Sequence, residues 1–251
     1  MKFDSKSFRL KASKKEKYDY AQIPPGYYDT VFHRNKGVQS KWHQIKFSRL
    51  RTHLNGSIHH LDIGCGPGTF IGTLGEELLS VGADISPSQI EYARKRYGTS
   101  KKRFEQIGED LERFQNDLFD IVTMIELIEH LSPEQSERLL KEVLRVLRPG
   151  GRLIVSTPNY GGMWPIVEIL VNTLGRVSYH HQHVTRYSAA ALLDLLRRSG
   201  FMDISVSGFM LFAPFAACLG WHFADLVDSV EPKVLDSRWG LLLHGLARKA
   251  P

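Results

Sequence analysis

Three glycines at alternate positions, directly after a short apolar segment, constrain this chain more than any other feature. The segment covers residues 58–63, and the run that follows is Gly64-Cys65-Gly66-Pro67-Gly68. Glycine lets the backbone turn sharply and removes the Cβ that would keep a ligand at a distance. A strand that ends in such a turn is typical of open α/β sheets, which bind ligands at the carboxyl ends of their strands.

Short apolar segments recur along the chain and alternate with segments of helical periodicity. The segments that predict further strands are 79–85, 104–107, 119–125, 152–157, 204–206 and 241–247. The segments that predict helices are 38–54, 69–79, 87–97, 133–148 and 189–198. Strands that alternate with helices at this spacing indicate βαβ units in one mostly parallel sheet.

The charge and the cysteines exclude several classes of protein. The chain has 251 residues and a net charge of +6, and residues 1–17 hold seven basic against two acidic residues. The remainder is therefore nearly neutral, which is not typical of a nucleic-acid-binding face. The two cysteines, Cys65 and Cys218, exclude a disulfide scaffold and favour a reducing compartment, so we expect a cytoplasmic protein. The longest apolar run, 209–223, is too short and too interrupted to span a membrane.

Two parts of the chain are predicted. Residues 1–37 form a basic leader and lid segment, and residues 38–251 form one domain with an aromatic insertion at about 208–239. The leader is either a solvated tail or an arm attracted to anionic lipid or phosphate. The insertion is either a helical cap on the core, or a lid over an apolar acceptor, or a surface for a membrane or a second subunit. Residues 160–174 can supply a second wall of an acceptor site.

Carboxylates follow the second and third predicted strands. Asp84 lies 20 residues after Gly64, where a carboxylate can accept both hydroxyls of a ribose. The competing interpretation places Asp84 at the N-terminus of the next helix, where a negative charge is favourable. Glu109 and Asp110 follow the third strand, where an adenine edge would lie.

Four motifs in this order resemble the class I S-adenosylmethionine-dependent methyltransferases. They are LDIGCGPGTF (61–70), GADIS (82–86), FDIVTMIELIEHL (119–131) and LRPGGRLIVSTPN (147–159). The chain is similar in particular to the ubiquinone-pathway O-methyltransferases and the type 11 methyltransferases. The resemblance covers about residues 38–207 and extends weakly to Arg248. It implies a Rossmann-like, seven-stranded, mostly parallel sheet with helices on both faces and an antiparallel last strand near 241–247.

The resemblance also assigns cofactor-binding residues by position. The glycine loop and the acid before it would line the methionine part of S-adenosylmethionine, Asp84 would hold the ribose, and Glu109 or Asp110 would lie by the adenine. Ile125 and Glu126 would lie beside the sulfonium. The full cofactor-binding set is Asp62, Gly64, Cys65, Gly66, Gly68, Asp84, Ile85, Glu109, Ile125 and Glu126.

A base is needed where the acceptor atom carries a proton, and the candidates are His130 and His183. Glu126, Glu129 and His130, with His181 or His183, also have the spacing of metal ligands. This pattern resembles the metal motif of the small-RNA 3′-end 2′-O-methyltransferases. A Glu-His pair is also common after this strand in methyltransferases that bind no metal, so we expect none here. His59 and His60 lie inside the first strand and are expected to be packing residues.

The expected activity is methyl transfer from S-adenosylmethionine to a small, apolar or lipid-linked acceptor, on oxygen. The alternatives are a metal-assisted RNA 2′-O-methyltransferase and a noncatalytic cofactor-binding assembly subunit. A nicotinamide-dependent oxidoreductase is disfavoured by the glycine spacing. We expect a monomer or homodimer without a stable nucleic-acid partner, and a peripheral membrane contact stays open.

Overall fold

The computed structural model of the protein describes residues 24–174 and 183–251. Its centre is a seven-stranded sheet with the order β3-β2-β1-β4-β5-β7-β6. The strands are β1 His59–Ile63, β2 Leu79–Asp84, β3 Lys102–Gln106, β4 Phe119–Ile125, β5 Leu147–Pro158, β6 Met202–Phe209 and β7 Leu242–Arg248.

Strand directions confirm the predicted fold class. The pairs β3–β2, β2–β1, β1–β4 and β4–β5 are parallel, whereas β7 runs antiparallel to β5 and to β6. This is the Rossmann-like sheet with one antiparallel strand that the resemblance implies.

Helices connect the strands and cover both faces of the sheet. They are α1 Tyr27–His33, α2 Gly37–Arg51, α3 Thr69–Gly72, α4 Pro87–Tyr97, α5 Pro133–Val146, α6 Trp164–Leu174, α7 Ala189–Arg198, α8 Ala213–Ala216 and α9 Trp221–Val234. Short 3₁₀ turns lie at Thr52–Leu54, Ile128–His130 and Ser237–Trp239. None of the described helices is long and apolar enough to cross a membrane.

Two apolar clusters hold these layers together. Successive side chains of a strand point to opposite faces, so Val122 packs with residues of α5 and α7 while Ile121 packs with residues of α2 and α4. The start of α5 is fixed by a capping box in which Ser132 and Gln135 satisfy each other's backbone N–H groups.

Two predicted boundaries were wrong. The helix expected over 69–79 ends at Gly72, because glycines at 72 and 75 are poor helix formers. The helix expected over 133–148 ends at Val146, and β5 begins at once at Leu147 rather than at 152. A register shift between Phe119 and Ile121 accommodates the Pro-Gly-Gly segment inside the strand.

The topology brings the long connections to one edge of the sheet. β1 to β5 are parallel, so their carboxyl ends share an edge. Pro158 at the end of β5 pairs with Leu242 at the start of β7, and Leu242 also pairs with Phe209 at the end of β6. The connection from β6 to β7, which contains α8 and α9, therefore leaves the sheet at the edge where the glycine loop lies.

Candidate active site

The glycine loop turns through three left-handed residues. Gly64, Gly66 and Gly68 have φ angles of 74°, 50° and 76°, which only glycine adopts without strain. The N–H groups of Gly64 and Cys65 donate to the carbonyl of Ala83 at 2.8 and 3.1 Å, so β2 fixes the loop. A Cβ at Gly68 would lie 2.6 Å from Phe104, whereas one at Gly66 would meet nothing within 4 Å. Gly66 therefore borders open space, into which a ligand can approach the backbone.

Asp84 binds this loop from the end of β2. Its carboxylate oxygens accept the N–H groups of Gly66 and Ser86, each at 2.8 Å. Burial raises the pKa of Asp84, and the backbone hydrogen bonds oppose that rise. Each carboxylate oxygen has a second lone pair, so the same side chain can accept ribose hydroxyls. Both interpretations of Asp84 are thus compatible, because the bond to Ser86 also places it at the N-terminus of α4.

A chain of hydrogen bonds inside the sheet orients Asp62. Thr123 Oγ1 donates to Asp62 Oδ1 at 2.5 Å, so the Thr123 oxygen accepts from His60 Nε2 at 2.8 Å. His60 Nδ1 in turn accepts from Ser80 Oγ at 3.2 Å. Burial lowers the pKa of His60 to about 3 and raises that of Asp62 to about 7. His60 therefore orients the acid before the loop as a neutral imidazole, a role that its prediction as a packing residue left out.

The other predicted cofactor residues differ in exposure. The Cys65 thiol packs into the core cluster below the loop, so only its backbone faces the ligand side. Ile85 is 57% exposed just after Asp84 and offers an apolar surface. Glu109 is exposed after β3, and Ile125 is half-buried at the end of β4.

Asp29 joins the N-terminal helix α1 to the helices beside the glycine loop. This α1 residue is buried and accepts the hydroxyls of Thr69 and Tyr92, each at 2.9 Å, and that of Tyr97. The residues come from α1, α3 and α4, so one carboxylate joins the N-terminal helix to both helices beside the glycine loop. No local sequence pattern marks Asp29 for this role.

Glu129, His130 and His183 meet beyond the end of β4. One ligand atom from each lies within 4.8 Å of the others. Burial raises the pKa of Glu129 to about 8 and lowers that of His183 to about 4. Thr157 donates to Glu129 at 3.0 Å, and the Tyr160 hydroxyl lies 2.7 Å from His183 Nδ1. The cluster thus unites both predicted bases with one carboxyl group.

Glu126 takes a different position from the one that the metal-ligand pattern predicts. It lies outside the cluster of three, and its carboxylate forms an ion pair with the buried ammonium of Lys46 on α2. His181 lies outside the described residues. The three clustered donors fit a divalent ion by distance and type, but the Lys46 charge beside them opposes a second cation. The expected absence of a metal stays a prediction.

Comparisons with known proteins agree with this architecture. Residues 35–206 match the family model described as a methyltransferase domain. A ubiquinone biosynthesis O-methyltransferase of Coxiella burnetii is 32% identical over 119 residues, which are 46% of this chain and 50% of that protein. The match thus spans about half the length of the Coxiella burnetii relatives. A Mycolicibacterium smegmatis protein named "Probable S-adenosylmethionine-dependent methyltransferase" is 27% identical over 78% of this chain and 72% of its own.

A solved structure shows the same fold. The SAM-dependent methyltransferase of Thermotoga maritima superposes with a TM-score of 0.63 at 20% identity, over 88% of this chain and 94% of that one. The family match covers more than half of the chain, and the chain therefore belongs to the class I S-adenosylmethionine-dependent methyltransferases. Its cofactor is S-adenosylmethionine.

Proposed function

We propose that this enzyme methylates a hydroxyl oxygen of a small, apolar or lipid-linked acceptor. The observation that carries the proposal is the position of the Glu129–His130–His183 cluster next to the cofactor loop. A Cβ at Gly64 would lie 3.0 Å from Leu127 Cδ1, so the segment after β4 packs directly on the loop. We infer that the acceptor binds beside these groups, which can exchange protons with it.

The bound cofactor supplies an activated methyl group on a sulfonium. The protein must then place the acceptor and take the proton from its hydroxyl. His183 suits the second task, because burial holds it as a neutral imidazole and Tyr160 and Glu168 lie beside Nδ1, at 2.7 and 3.4 Å, to orient the ring. His130, whose ring centroid is 5.4 Å from that of His183, is the second candidate.

The predicted cofactor contacts follow from the same geometry. We infer that the loop from Asp62 to Gly68 borders the methionine part and that Asp84 holds the ribose. Ile85 and Glu109 then lie on the adenine side, and Ile125 and Glu126 on the sulfonium side. The support is their common place at the carboxyl edge of β1 to β4.

Methylation of RNA on the ribose 2′-oxygen is the second candidate. The cluster of one carboxyl group and two imidazoles favours it, because the metal-assisted enzymes of that class need such ligands. The nearly neutral charge of residues 18–251 counts against it. The charge balance therefore favours a small acceptor.

A peripheral membrane contact through α9 fits a lipid-linked acceptor. Asp225 and Asp228 turn toward α2 and pair with Lys41 at 2.6 Å and Arg49 at 3.2 Å. Glu231 turns toward the start of α8 and accepts the N–H of Ala213 at 2.9 Å. The usual arrangement of a surface helix is therefore reversed in α9, because its acidic side chains pair with the rest of the protein.

The opposite face of α9 is apolar and faces water. It consists of Phe223, Leu226, Val230 and Val234, which are 41–69% exposed. Their spacing of three or four residues places them on one side of the helix. An exposed apolar face of this kind can insert into a lipid interface, and the basic charge of residues 1–17 would add attraction to anionic headgroups. We infer that α9 contacts an anionic lipid surface.

Both cysteines support a cytoplasmic location for this activity. Cys65 and Cys218 are free thiols, the first buried and the second exposed. Persistent free thiols are typical of reducing compartments.

The test is product analysis with labelled cofactor. The enzyme is incubated with methyl-labelled S-adenosylmethionine and the lipid, RNA and small-molecule fractions of a cell extract, and the labelled product is identified by mass. A methyl ether in the lipid or small-molecule fraction supports the proposal, and label in RNA supports the second candidate. Transfer should fall in His183→Gln and persist in His222→Gln, which changes an exposed histidine on α9. No labelled product in any fraction would indicate a noncatalytic subunit.

A further inference from the structure

Lys46 is a buried cation at the junction of the cofactor loop and the acceptor side. It lies on α2, is 3% exposed, and its ammonium forms an ion pair with the Glu126 carboxylate. Glu126 is the first residue after β4 and comes 80 positions later in the chain. A lysine is seldom fully buried unless it is paired, and Lys46 is paired with a residue at the end of β4.

The charge of Lys46 reaches both halves of the site. Burial raises the pKa of Asp62, before the glycine loop, and that of Glu129, in the acceptor cluster, and Lys46 opposes the rise in both. Burial lowers the pKa of His43 on the same helix, and the charge of Lys46 lowers it further. The charge of the ammonium therefore acts on the acid before the glycine loop and on the Glu129 carboxyl group, besides its direct ion pair with Glu126.

Glu126 has an unusual backbone conformation. Its φ is 51°, in the left-handed region that residues other than glycine seldom adopt. Such strain is frequent at functional sites. The Glu126 side chain is 25% exposed whereas that of Lys46 is 3% exposed. Solvent or an acceptor thus reaches the ion pair from the Glu126 side, while the Lys46 side is enclosed.

We propose that Lys46 binds the methyl-accepting oxygen in its anionic form, and that Glu126 neutralises the ammonium until the acceptor enters. This inference rests on the proposed O-methylation. It narrows the acceptor to a phenol or another hydroxyl that ionises beside a cation. A preorganised charge at a buried site stabilises an oxyanion far more than water-exposed charges do.

The proton and electron pairs balance along this route. The acceptor hydroxyl gives its proton to the neutral imidazole of His183, which later returns the proton to water, and the resulting oxyanion replaces the Glu126 carboxylate beside Lys46. The oxygen uses a lone pair to form the bond to the methyl carbon, and the electrons of the broken carbon–sulfur bond stay on sulfur. The products are a neutral methyl ether and S-adenosylhomocysteine.

The test measures binding of a phenolate probe rather than turnover. With S-adenosylhomocysteine bound, 4-nitrocatechol is titrated at a pH where it is ionised, and the visible absorption of the phenolate reports its environment. Its dimethyl ether, 4-nitroveratrole, is the neutral matched probe. Lys41→Met is the matched control, because Lys41 is equally buried on α2 but pairs with Asp225 and stacks on Trp221.

We expect Lys46→Met to weaken nitrocatechol binding at least about tenfold, the effect of losing a charge-assisted hydrogen bond. Nitroveratrole and S-adenosylhomocysteine should bind as before, and Lys46→Arg should restore part of the nitrocatechol affinity. Lys41→Met should change none of these. Glu126→Gln removes the competing carboxylate and should strengthen nitrocatechol binding several-fold, which keeps the test valid where Lys46→Met does not fold.

Three results would overturn the inference. The first is that nitrocatechol does not bind to the wild-type complex. The second is that Lys46→Met binds nitrocatechol as the wild type does. The third is that Lys46→Met loses affinity equally for nitrocatechol and nitroveratrole, which indicates a merely structural lysine. Failure of the proposed function has a separate readout. It would show as absent binding of S-adenosylhomocysteine itself, or as a labelled product that is not a methyl ether.

Discussion

Asp29 on α1 accepts the hydroxyl of Thr69, the first residue of α3, at 2.9 Å and across 40 positions of sequence. The hydroxyls of Tyr92 and Tyr97 on α4 donate to the same carboxylate. The N-terminal helix is thereby joined to the two helices that border the glycine loop. Three buried or half-buried donors depend on one acceptor.

Removal of this acceptor should destabilise the protein. Asp29→Ala leaves the three hydroxyls without their common partner, so we expect the free energy of unfolding to fall by about 1–3 kcal/mol. Urea denaturation measures it. Glu137→Ala, which removes an exposed partner of Arg198, should cost less than about 1 kcal/mol. Equal midpoints for the two variants would show that α1 is not held through Asp29.

Substitution of Asp84 should weaken cofactor binding. In Asp84→Ala the ribose hydroxyls lose their acceptor, so the affinity for S-adenosylhomocysteine should fall at least about tenfold. Titration calorimetry measures the affinity directly. Asp194→Ala changes an exposed acid on α7 and should leave it unchanged. Wild-type affinity in Asp84→Ala would refute the ribose role.

His60 should make the protein less stable in acid. Its pKa is about 3 in the folded protein against an ordinary 6.5, so between these values the unfolded chain binds a proton that the folded protein does not. Stability therefore falls as the pH drops below 6.5. We expect His60→Gln to show a smaller loss between neutral pH and mildly acidic pH in denaturant titrations. His222→Gln should follow the wild-type profile, and a His60→Gln profile parallel to wild type would contradict a buried neutral imidazole.

A chelator should not abolish activity. Glu126 is paired with Lys46 rather than placed with Glu129, His130 and His183, and the ammonium disfavours a divalent ion nearby. Methyl transfer is measured before and after dialysis against EDTA. Complete loss that one divalent ion restores would show instead that the cluster is a metal site.

The apolar face of α9 should govern binding to anionic vesicles. Leu226→Glu and Val230→Glu place charges on exposed positions and should reduce co-sedimentation with phosphatidylglycerol vesicles several-fold without loss of fold. Met202→Glu is the control, because Met202 is also exposed but begins β6 at the opposite edge of the sheet. If the wild type does not sediment and the α9 variants turn a dimer into a monomer, the face binds a second copy.

The sequence predicts the sheet well because its signals are local. A buried parallel strand such as Phe119–Ile125 is a continuous apolar run, and the glycine loop needs left-handed residues at fixed positions. The helix over 69–79 was predicted too long because an apolar periodicity does not show where glycine ends it. The four resemblance motifs supplied the number of strands and the antiparallel direction of the last one.

The sequence did not predict Lys46 and Asp29, because their partners lie far away in the chain. Lys46 and its partner Glu126 are 80 positions apart, and Asp29 and Tyr97 are 68 apart. Lys46 and Asp29 are by themselves typical of solvated helix positions. Their burial depends on how α1 and α2 pack on the sheet, which no local pattern specifies.

The antiparallel hairpin of β6 and β7 separates the connection that contains α8 and α9 from the strands that carry the glycine loop and Asp84. The glycine loop and Asp84 lie at the ends of β1 and β2, whereas the hairpin returns its intervening segment, with α8 and α9, to the same edge from the far side of the sheet. We expect exchange of residues 210–241 to change the choice of acceptor and to leave the glycine loop unchanged. In such an arrangement, replacement of this one connection is enough to change the acceptor while the sheet is retained.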